Sequence, residues 1–218
     1  MPAHKKSIPG DIVKVIKDIP RTNIFAYVNS NSLSEEYFKI AEKALSEPYI
    51  YIVLSSTGSP ASNVIEFFTK DMYSHASLAF DFDLKTIVSY NGGNGLNPPG
   101  MNYERVEFFL QKPDARMAVY RIKATFEQKK TILDEVRRIN IEGSSYNITG
   151  VVLAHSFLDN ILVCSQFVYR LLQKAGLCYF GKDAAKVRPI DFFICDSDGV
   201  LELCDECYIK DFVNCGQL

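Results

Sequence analysis

Histidine and cysteine are the side chains in this sequence best suited to act as a general base and a nucleophile. The chain has three histidines, and two of them are weak candidates. His4 lies near the chain start, where ends fray, and a histidine in an apolar stretch such as that of His155 more often packs than catalyses. His75 begins a predicted strand whose same-face neighbours, Ser77 and Ala79, are small enough to leave room for a ligand. His75 is therefore the candidate base.

Cys164 is the candidate nucleophile because it stands at the start of a predicted helix. The apolar side chains that share its helical face turn it toward the body of the protein; they are Phe167, Val168, Leu171, Leu172 and Ala175. Backbone N–H groups and the helix dipole at this end favour a thiolate, which is the reactive form of cysteine. The alternative is that Cys164 is only a small buried apolar residue.

The elements that must position these two residues follow from the spacing of apolar side chains along the chain. Helices are predicted at Ser34–Ser46, Ala61–Lys70, Thr125–Asn140 and Ser165–Ala175. Strands are predicted at Tyr49–Ser55, His75–Phe82, Thr86–Asn91, Arg105–Leu110 and Ala115–Lys123, and a hairpin at Phe192–Cys195 and Val200–Leu203 around Asp198-Gly199. Strands flanked by helices on both sides predict an α+β fold.

Composition and local spacing exclude several classes of protein. The chain has 24 basic and 26 acidic side chains, a net charge of -2, which argues against a basic face that binds nucleic acid. No apolar run approaches the roughly 18 residues of a membrane span, and no secretory signal is evident, so we expect a cytoplasmic protein without a transmembrane segment. Cys204 and Cys207 have metal-ligand spacing without a second such pair, and Gly92–Gly100 lacks the glycine spacing of a phosphate-binding loop. We therefore expect no metal and no cofactor.

Three segments together resemble a known family. They are Tyr73–Ala79, Tyr146–Gly150 and Cys164–Val168. In this combination the chain resembles the papain-like cysteine hydrolases of the NlpC type. The histidine segment precedes the cysteine segment, so the chain is similar to the circularly permuted branch, which includes bacterial amidases and, more distantly, lecithin retinol acyltransferase-like proteins. The resemblance extends from about Tyr49 to Phe193 and includes Arg188–Phe192.

The resemblance implies a permuted papain-like fold, an antiparallel sheet or half-barrel with the histidine strand first and the cysteine helix packed on it. Cys164 would be the nucleophile and His75 its base, which agrees with their positions in the predicted elements. The backbone N–H of Cys164 and the hydroxyl of Tyr146 would hold the oxyanion; the alternative for Tyr146 is an aromatic packing residue. Substrate contacts would come from Tyr73, Ser165 and Gln166.

The resemblance also implies a third polar residue that orients the imidazole, placed on the strand after the histidine strand. On Thr86–Asn91 the candidates of one face are Ser89 and Asn91, and that strand offers no carboxylate. We expect Asn91 together with Ser89 to take this role. The alternatives are a less polarised imidazole or an orienting group from elsewhere in the chain.

The predicted organisation has three parts: residues 1–48 as an extension packed on the domain, 49–193 as the catalytic domain, and 194–218 as a cysteine-rich hairpin or tail of the same domain. The expected function is hydrolysis of an amide bond (peptide or γ-glutamyl) or an acyl bond through a thioester acyl-enzyme. The substrate would be a small peptide, an amino-acid derivative or an acyl lipid. The alternatives are a non-catalytic module that binds a ligand or partner, a lipid acyltransferase, and an accidental resemblance.

Overall fold

The computed structural model describes residues 26–56, 72–93, 97–109, 115–147 and 159–208. Its α-helices are α1 (Glu35–Ala44), α2 (Val106–Phe109), α3 (Phe126–Glu142), α4 (Cys164–Lys174) and α5 (Asp191–Ile194). Its strands are β1 (Tyr49–Ser56), β2 (His75–Ala79), β3 (Val88–Asn91), β4 (Gly100–Tyr103), β5 (Arg116–Lys123), β6 (Ser145–Tyr146), β7 (Ile161–Leu162) and β8 (Glu202–Tyr208). A 3-10 helix covers Ala184–Lys186.

Six of these strands form one antiparallel sheet. Their spatial order is β4-β3-β2-β1-β5-β8, and every neighbouring pair runs antiparallel. The short strands β6 and β7 form a separate parallel pair. The predicted α+β class and its antiparallel sheet are confirmed. β8 joins the sheet edge beside β5, so the segment after residue 194 contributes to the same sheet.

The core lies on both faces of this sheet, because successive side chains of a strand point to opposite sides. In β1, Ile50 and Ile52 belong to the larger cluster, which also includes buried side chains of α1, α3 and α4. Tyr51 and Val53 belong to a smaller cluster, which includes Phe109 of α2. Since α1 contributes to the larger cluster, residues 35–44 share the core of the sheet rather than standing apart from it.

Three predicted helices are confirmed, and side chains cap the start of two of them. The Ser34 side chain accepts from the Tyr37 N–H at 3.2 Å at the start of α1. Thr125 and Gln128 form a capping box at the start of α3. The helix predicted at Ala61–Lys70 lies outside the described residues. Among the described helices, none is both long enough and apolar enough to cross a membrane.

The strand predicted at Arg105–Leu110 is wrong. Val106–Phe109 is a short helix, and the strand lies earlier, at Gly100–Tyr103, just before the predicted strand. Pairing with β3 outweighs the weak strand preference of this glycine-led segment. Gly100 has a φ of 148°, and a Cβ there would meet the Ser144 hydroxyl oxygen at 2.6 Å. A glycine is therefore needed for β4 to pass this close to Ser144.

The hairpin predicted around Asp198-Gly199 is also wrong. The residues before the turn form α5, and the strand after it pairs with β5 instead of folding back on them. The Asp196 carboxylate accepts from the N–H groups of Val200 and Leu201, at 2.8 and 3.0 Å. A turn signal thus marks a reversal of the chain without fixing the structure on each side of it.

Lys129 of α3 is a fully buried lysine. Its ammonium donates to the backbone carbonyl oxygens of Ala44, Glu47 and Phe80. These three acceptors match its three donors and tie α3 to the end of α1 and to the segment after β2. Burial lowers the pKa of Lys129 to about 8, against the opposing attraction of Glu47 and Asp81.

Replacement of Lys129 by Met tests this burial through the pH dependence of stability. The native pKa of Lys129 is about 8, and its ordinary value is 10.5. Between these values the unfolded chain holds a proton that the native chain has released, so the native state gains stability as the pH rises. We expect the free energy of unfolding of the wild type, relative to Lys129→Met, to rise by about 3 kcal/mol across this interval. Urea unfolding of both proteins measures the difference, and a difference independent of pH would contradict the prediction.

Candidate functional site

His75 and Cys164 each occupy the first residue of the element that carries them. His75 begins β2, and Cys164 begins α4, which packs against β2 and β3. The side-chain oxygen of Gln166 accepts from the N–H of Val163 at 3.2 Å and so satisfies one donor at the helix start. Cys164 is buried, with a free thiol at the positive end of the helix dipole.

The imidazole of His75 lies between the Cys164 thiol and a carboxylate, that of Glu104. His75 Nε2 is 3.0 Å from Glu104 Oε1 and 3.1 Å from Glu104 Oε2. The charge of Cys164 also acts on the His75 imidazole, so the thiol lies near the ring. Because Nε2 faces the carboxylate, Nδ1 is the ring nitrogen left for the thiol. The three residues form a Cys-His-Glu chain.

The charges within the Cys-His-Glu chain reinforce one another. Burial disfavours the protonated imidazole, but the charges of Glu104 and Cys164 together raise the pKa of His75 well above its ordinary value. Burial likewise disfavours the Glu104 carboxylate, but the charge of His75 and hydrogen bonds from His75, Ser77 and Asn91 lower its pKa. The site therefore favours an imidazolium beside an ionised carboxylate at neutral pH.

Glu104, rather than Asn91 or Ser89, contacts the imidazole of His75. Asn91 Nδ2 donates to Glu104 Oε1 at 2.9 Å, so Asn91 acts on the carboxylate. The Ser89 hydroxyl is buried and has no hydrogen-bond partner among the described residues. Glu104 follows β4 directly, and it was missed because the strand had been placed after it. With the strand placed correctly, a carboxylate directly after its end would have indicated Glu104 as a candidate site residue.

Tyr146 is brought to the site by the parallel pair of β6 and β7. Tyr146 lies opposite Leu162, two residues before Cys164, and the Asn147 N–H donates to the Leu162 carbonyl at 2.9 Å. Burial raises the pKa of Tyr146, and the nearby charges of Cys164 and Glu104 raise it further. The phenol therefore stays protonated and can donate a hydrogen bond in this site.

The side chains of the three residues predicted to contact substrate make contacts within the protein itself. The Ser165 hydroxyl donates to the Val187 carbonyl at 2.6 Å, and Gln166 Nε2 donates to the Ala185 carbonyl at 3.0 Å. Both contacts tie α4 to the segment around Ala184–Lys186. Tyr73 is buried in the larger core cluster. Their contacts are those of residues that hold the cysteine helix in place.

The described part of the chain contains no group of three or more His, Cys, Asp and Glu side chains that could hold a metal ion. Cys164, Cys178 and Cys195 are free thiols. His4 and His155 lie outside the described residues. Among the side chains described, the candidate reactive groups are thus those of the Cys-His-Glu chain and the neighbouring Tyr146 hydroxyl.

Fold and site together define an α+β protein with an antiparallel sheet and a largely buried Cys-His-Glu chain. Comparison of the sequence and structure with family models, curated proteins and solved structures found no match. The geometry around Cys164, His75 and Glu104 is therefore the basis for assigning a function.

Proposed function

We propose that this protein is a thiol hydrolase that cleaves an amide or acyl bond through a covalent thioester on Cys164. The observation that carries the proposal is the His75 imidazole, which is bound to the carboxylate of Glu104 and lies within the electrostatic reach of the Cys164 thiol. A nucleophile, a base and a group that orients the base are the parts that this chemistry needs. Cys164 and Glu104 are buried and His75 is partly buried, and all three stand at the start or end of regular elements, which hold them in place.

The reaction proceeds in two stages. In the first, Cys164 Sγ attacks the substrate carbonyl carbon, and the carbonyl electron pair moves onto the oxygen. The carbonyl re-forms as the bond to the leaving group breaks, and the leaving group takes the proton from His75. In the second, His75 removes a proton from water, the resulting hydroxide attacks the thioester, and Cys164 leaves as a thiolate.

The negative charge on the substrate oxygen needs hydrogen-bond donors at the moment of attack. The backbone N–H of Cys164 is one, because the first N–H groups of a helix have no partner within it. The Tyr146 hydroxyl is the second, since the pKa of this phenol is raised and the electrostatic influence of Cys164 reaches it. These two donors flank the nucleophile from α4 and from β6.

The permuted papain-like fold belongs to the same proposal. The histidine strand precedes the cysteine helix in the chain, and that helix packs on the antiparallel sheet that contains the histidine strand. A Cys-His pair whose imidazole is oriented by a third polar group fits that family's arrangement. Here the third group is a carboxylate at the end of β4.

Formation of the acyl-enzyme tests the proposed function. Treatment of the native chain with p-nitrophenyl acetate should release a burst of nitrophenolate and leave an acetyl thioester on Cys164, detected by peptide mass spectrometry. Cys164→Ala should lose both signals, while Cys178→Ala, the same change at a partly buried thiol, should retain them. Acetylation spread over several cysteines, or absent from Cys164, would contradict the proposal.

Tyr146→Phe should slow this turnover by about 100-fold, because an oxyanion donor is lost while the ring and its packing remain. KM for p-nitrophenyl acetate should change little, since the donor acts mainly in the transition state. Tyr179→Phe is the matched control: it removes a hydroxyl that donates to the Phe192 carbonyl at 2.7 Å. Equal rates for Tyr146→Phe and the wild type would remove Tyr146 from the site.

A further inference from the structure

The Glu104 carboxylate lies at one end of a connected series of three asparagine side chains. We propose that Asn91, Asn102 and Asn29 are positioning residues, whose aligned amides keep Glu104 ionised and directed at His75. The inference rests on the proposed function and extends it, because it makes the segment around residue 29 part of the catalytic machinery.

The first link is made to the carboxylate itself. Asn91 Nδ2 donates to Glu104 Oε1 at 2.9 Å, and the Ser77 hydroxyl donates to Glu104 Oε2 at 2.6 Å. Each carboxylate oxygen therefore has a fixed donor besides the imidazole of His75. Glu104 is buried, and a buried carboxylate stays ionised only when such donors replace water.

The next two links have a single allowed direction. An ionised carboxylate only accepts hydrogen bonds, so Asn91 must present its NH₂ group to Glu104 and its oxygen to the next residue. Asn102 Nδ2 donates to that Asn91 oxygen at 3.0 Å, and Asn29 Nδ2 donates to Asn102 Oδ1 at 3.1 Å. All three amides thus point their NH₂ groups toward Glu104. Aligned dipoles in a buried network reinforce one another and favour the negative charge at its end.

The far end of the series is held by the backbone. The Asn29 N–H donates to the Ser144 carbonyl at 3.0 Å, and the Ser144 N–H donates to the Asn29 carbonyl at 2.7 Å. Ser144 lies two residues before Tyr146, and its hydroxyl also accepts from the Met101 N–H of β4 at 2.9 Å. Asn29 therefore connects the carboxylate side of the site to the strand that carries Tyr146.

Asn29 and Asn102 are buried, and Asn91 is partly buried. In the described residues, the titratable groups that act on His75 are Glu104 and Cys164, and the additional titratable neighbour of those two is Tyr146. None of the three asparagines titrates. A change in one of them can therefore reach the imidazole only through the orientation or ionisation of Glu104.

Titration of the His75 imidazole by NMR, in the full chain with labelled histidine, tests the inference. The His75 signal is assigned by its loss in His75→Ala. Asn102→Leu removes the middle amide at nearly constant volume, without touching Glu104 or His75. We expect it to lower the midpoint of the His75 titration by about 0.5 to 1 pH unit, with Asn91→Ala lowering it at least as much.

Asn140→Leu is the matched control. Asn140 is also buried, and its side chain bonds the backbone of Leu33 rather than the series of amides. A lower midpoint in Asn102→Leu and an unchanged one in Asn140→Leu would support the inference. An unchanged midpoint in both, or an equal shift in both, would overturn it. If Asn102→Leu does not fold, the His75 midpoint of Asn91→Ala, a change at a partly exposed site, tests the inference instead.

The two proposals fail in different ways. If Cys164 is unreactive but Asn102→Leu shifts the His75 midpoint, the proposed hydrolase is refuted and the positioning role of the asparagines stands. A reactive Cys164 beside a midpoint that ignores Asn102→Leu and Asn91→Ala would refute only the positioning role.

Discussion

His75→Ala should remove the preferential reaction of Cys164 with iodoacetamide at pH 6.5. In the proposed mechanism the imidazolium of His75 stabilises a thiolate on Cys164. Without that partner the thiol must ionise as an unassisted cysteine, which at this pH is about 1% thiolate. The rate at Cys164 should therefore fall by up to about 100-fold. Peptide mass spectrometry after brief labelling with limiting reagent measures the rate at each cysteine.

The other thiols of the same sample provide the control for this experiment. Cys178 and Cys195 are partly buried and have no imidazole contact in the described structure. Their rates should be equal in the wild type and in His75→Ala, and circular dichroism should show an unchanged fold. An undiminished rate at Cys164 in the variant would mean that His75 does not activate it.

Glu104→Gln should reduce turnover of p-nitrophenyl acetate by about 100-fold or more. The amide has nearly the shape of the carboxylate but carries no charge, so it no longer stabilises the protonated imidazole. The carboxylate has a lowered pKa, so it stays charged at neutral pH and its replacement removes a full negative charge from the His75 pair. The pH-rate profile should also change, with the limb assigned to His75 moving to lower pH.

Glu135→Gln supplies the matched control for that substitution. Glu135 is a partly buried carboxylate on α3, and it pairs with Arg138 and Lys174 away from the Cys-His pair. The control variant should keep the wild-type rate and pH profile. If Glu104→Gln kept them as well, the carboxylate would have no role in orienting His75.

The elements of this fold were predictable where a local signal determines them. The periodic apolar residues of α1 and α3 predicted both helices. The strand β4 was not predictable in this way, because its sequence begins with glycine and its conformation depends on pairing with β3. The predicted strand lay a few residues too late in the sequence, so Glu104 was not recognised as a site residue.

In the candidate site, too, the residues with a local sequence signal were predictable and those brought together by the folded sheet were not. Cys164 and His75 were identifiable because each begins an element and few residues of either type compete for the role. The series from Glu104 to Asn29 joins residues as far as 73 positions apart, and that proximity comes only from the folded sheet. Ser165 and Gln166 were assigned to substrate because they adjoin the cysteine. Their bonds to the segment near Ala185 and Val187 depend on tertiary packing that a local motif does not contain.

Site-resolved alkylation of the native chain with limiting iodoacetamide, from about pH 5 to pH 9, tests the central claim most directly. The thiolate–imidazolium pair predicts that Cys164 is labelled much faster than Cys178, Cys195 and Cys204 between pH 6 and 7, where unassisted thiols are nearly all protonated. Labelling of Cys164 that is absent, or that rises with pH in parallel with the other thiols, would contradict the assignment of Cys164 as an activated nucleophile.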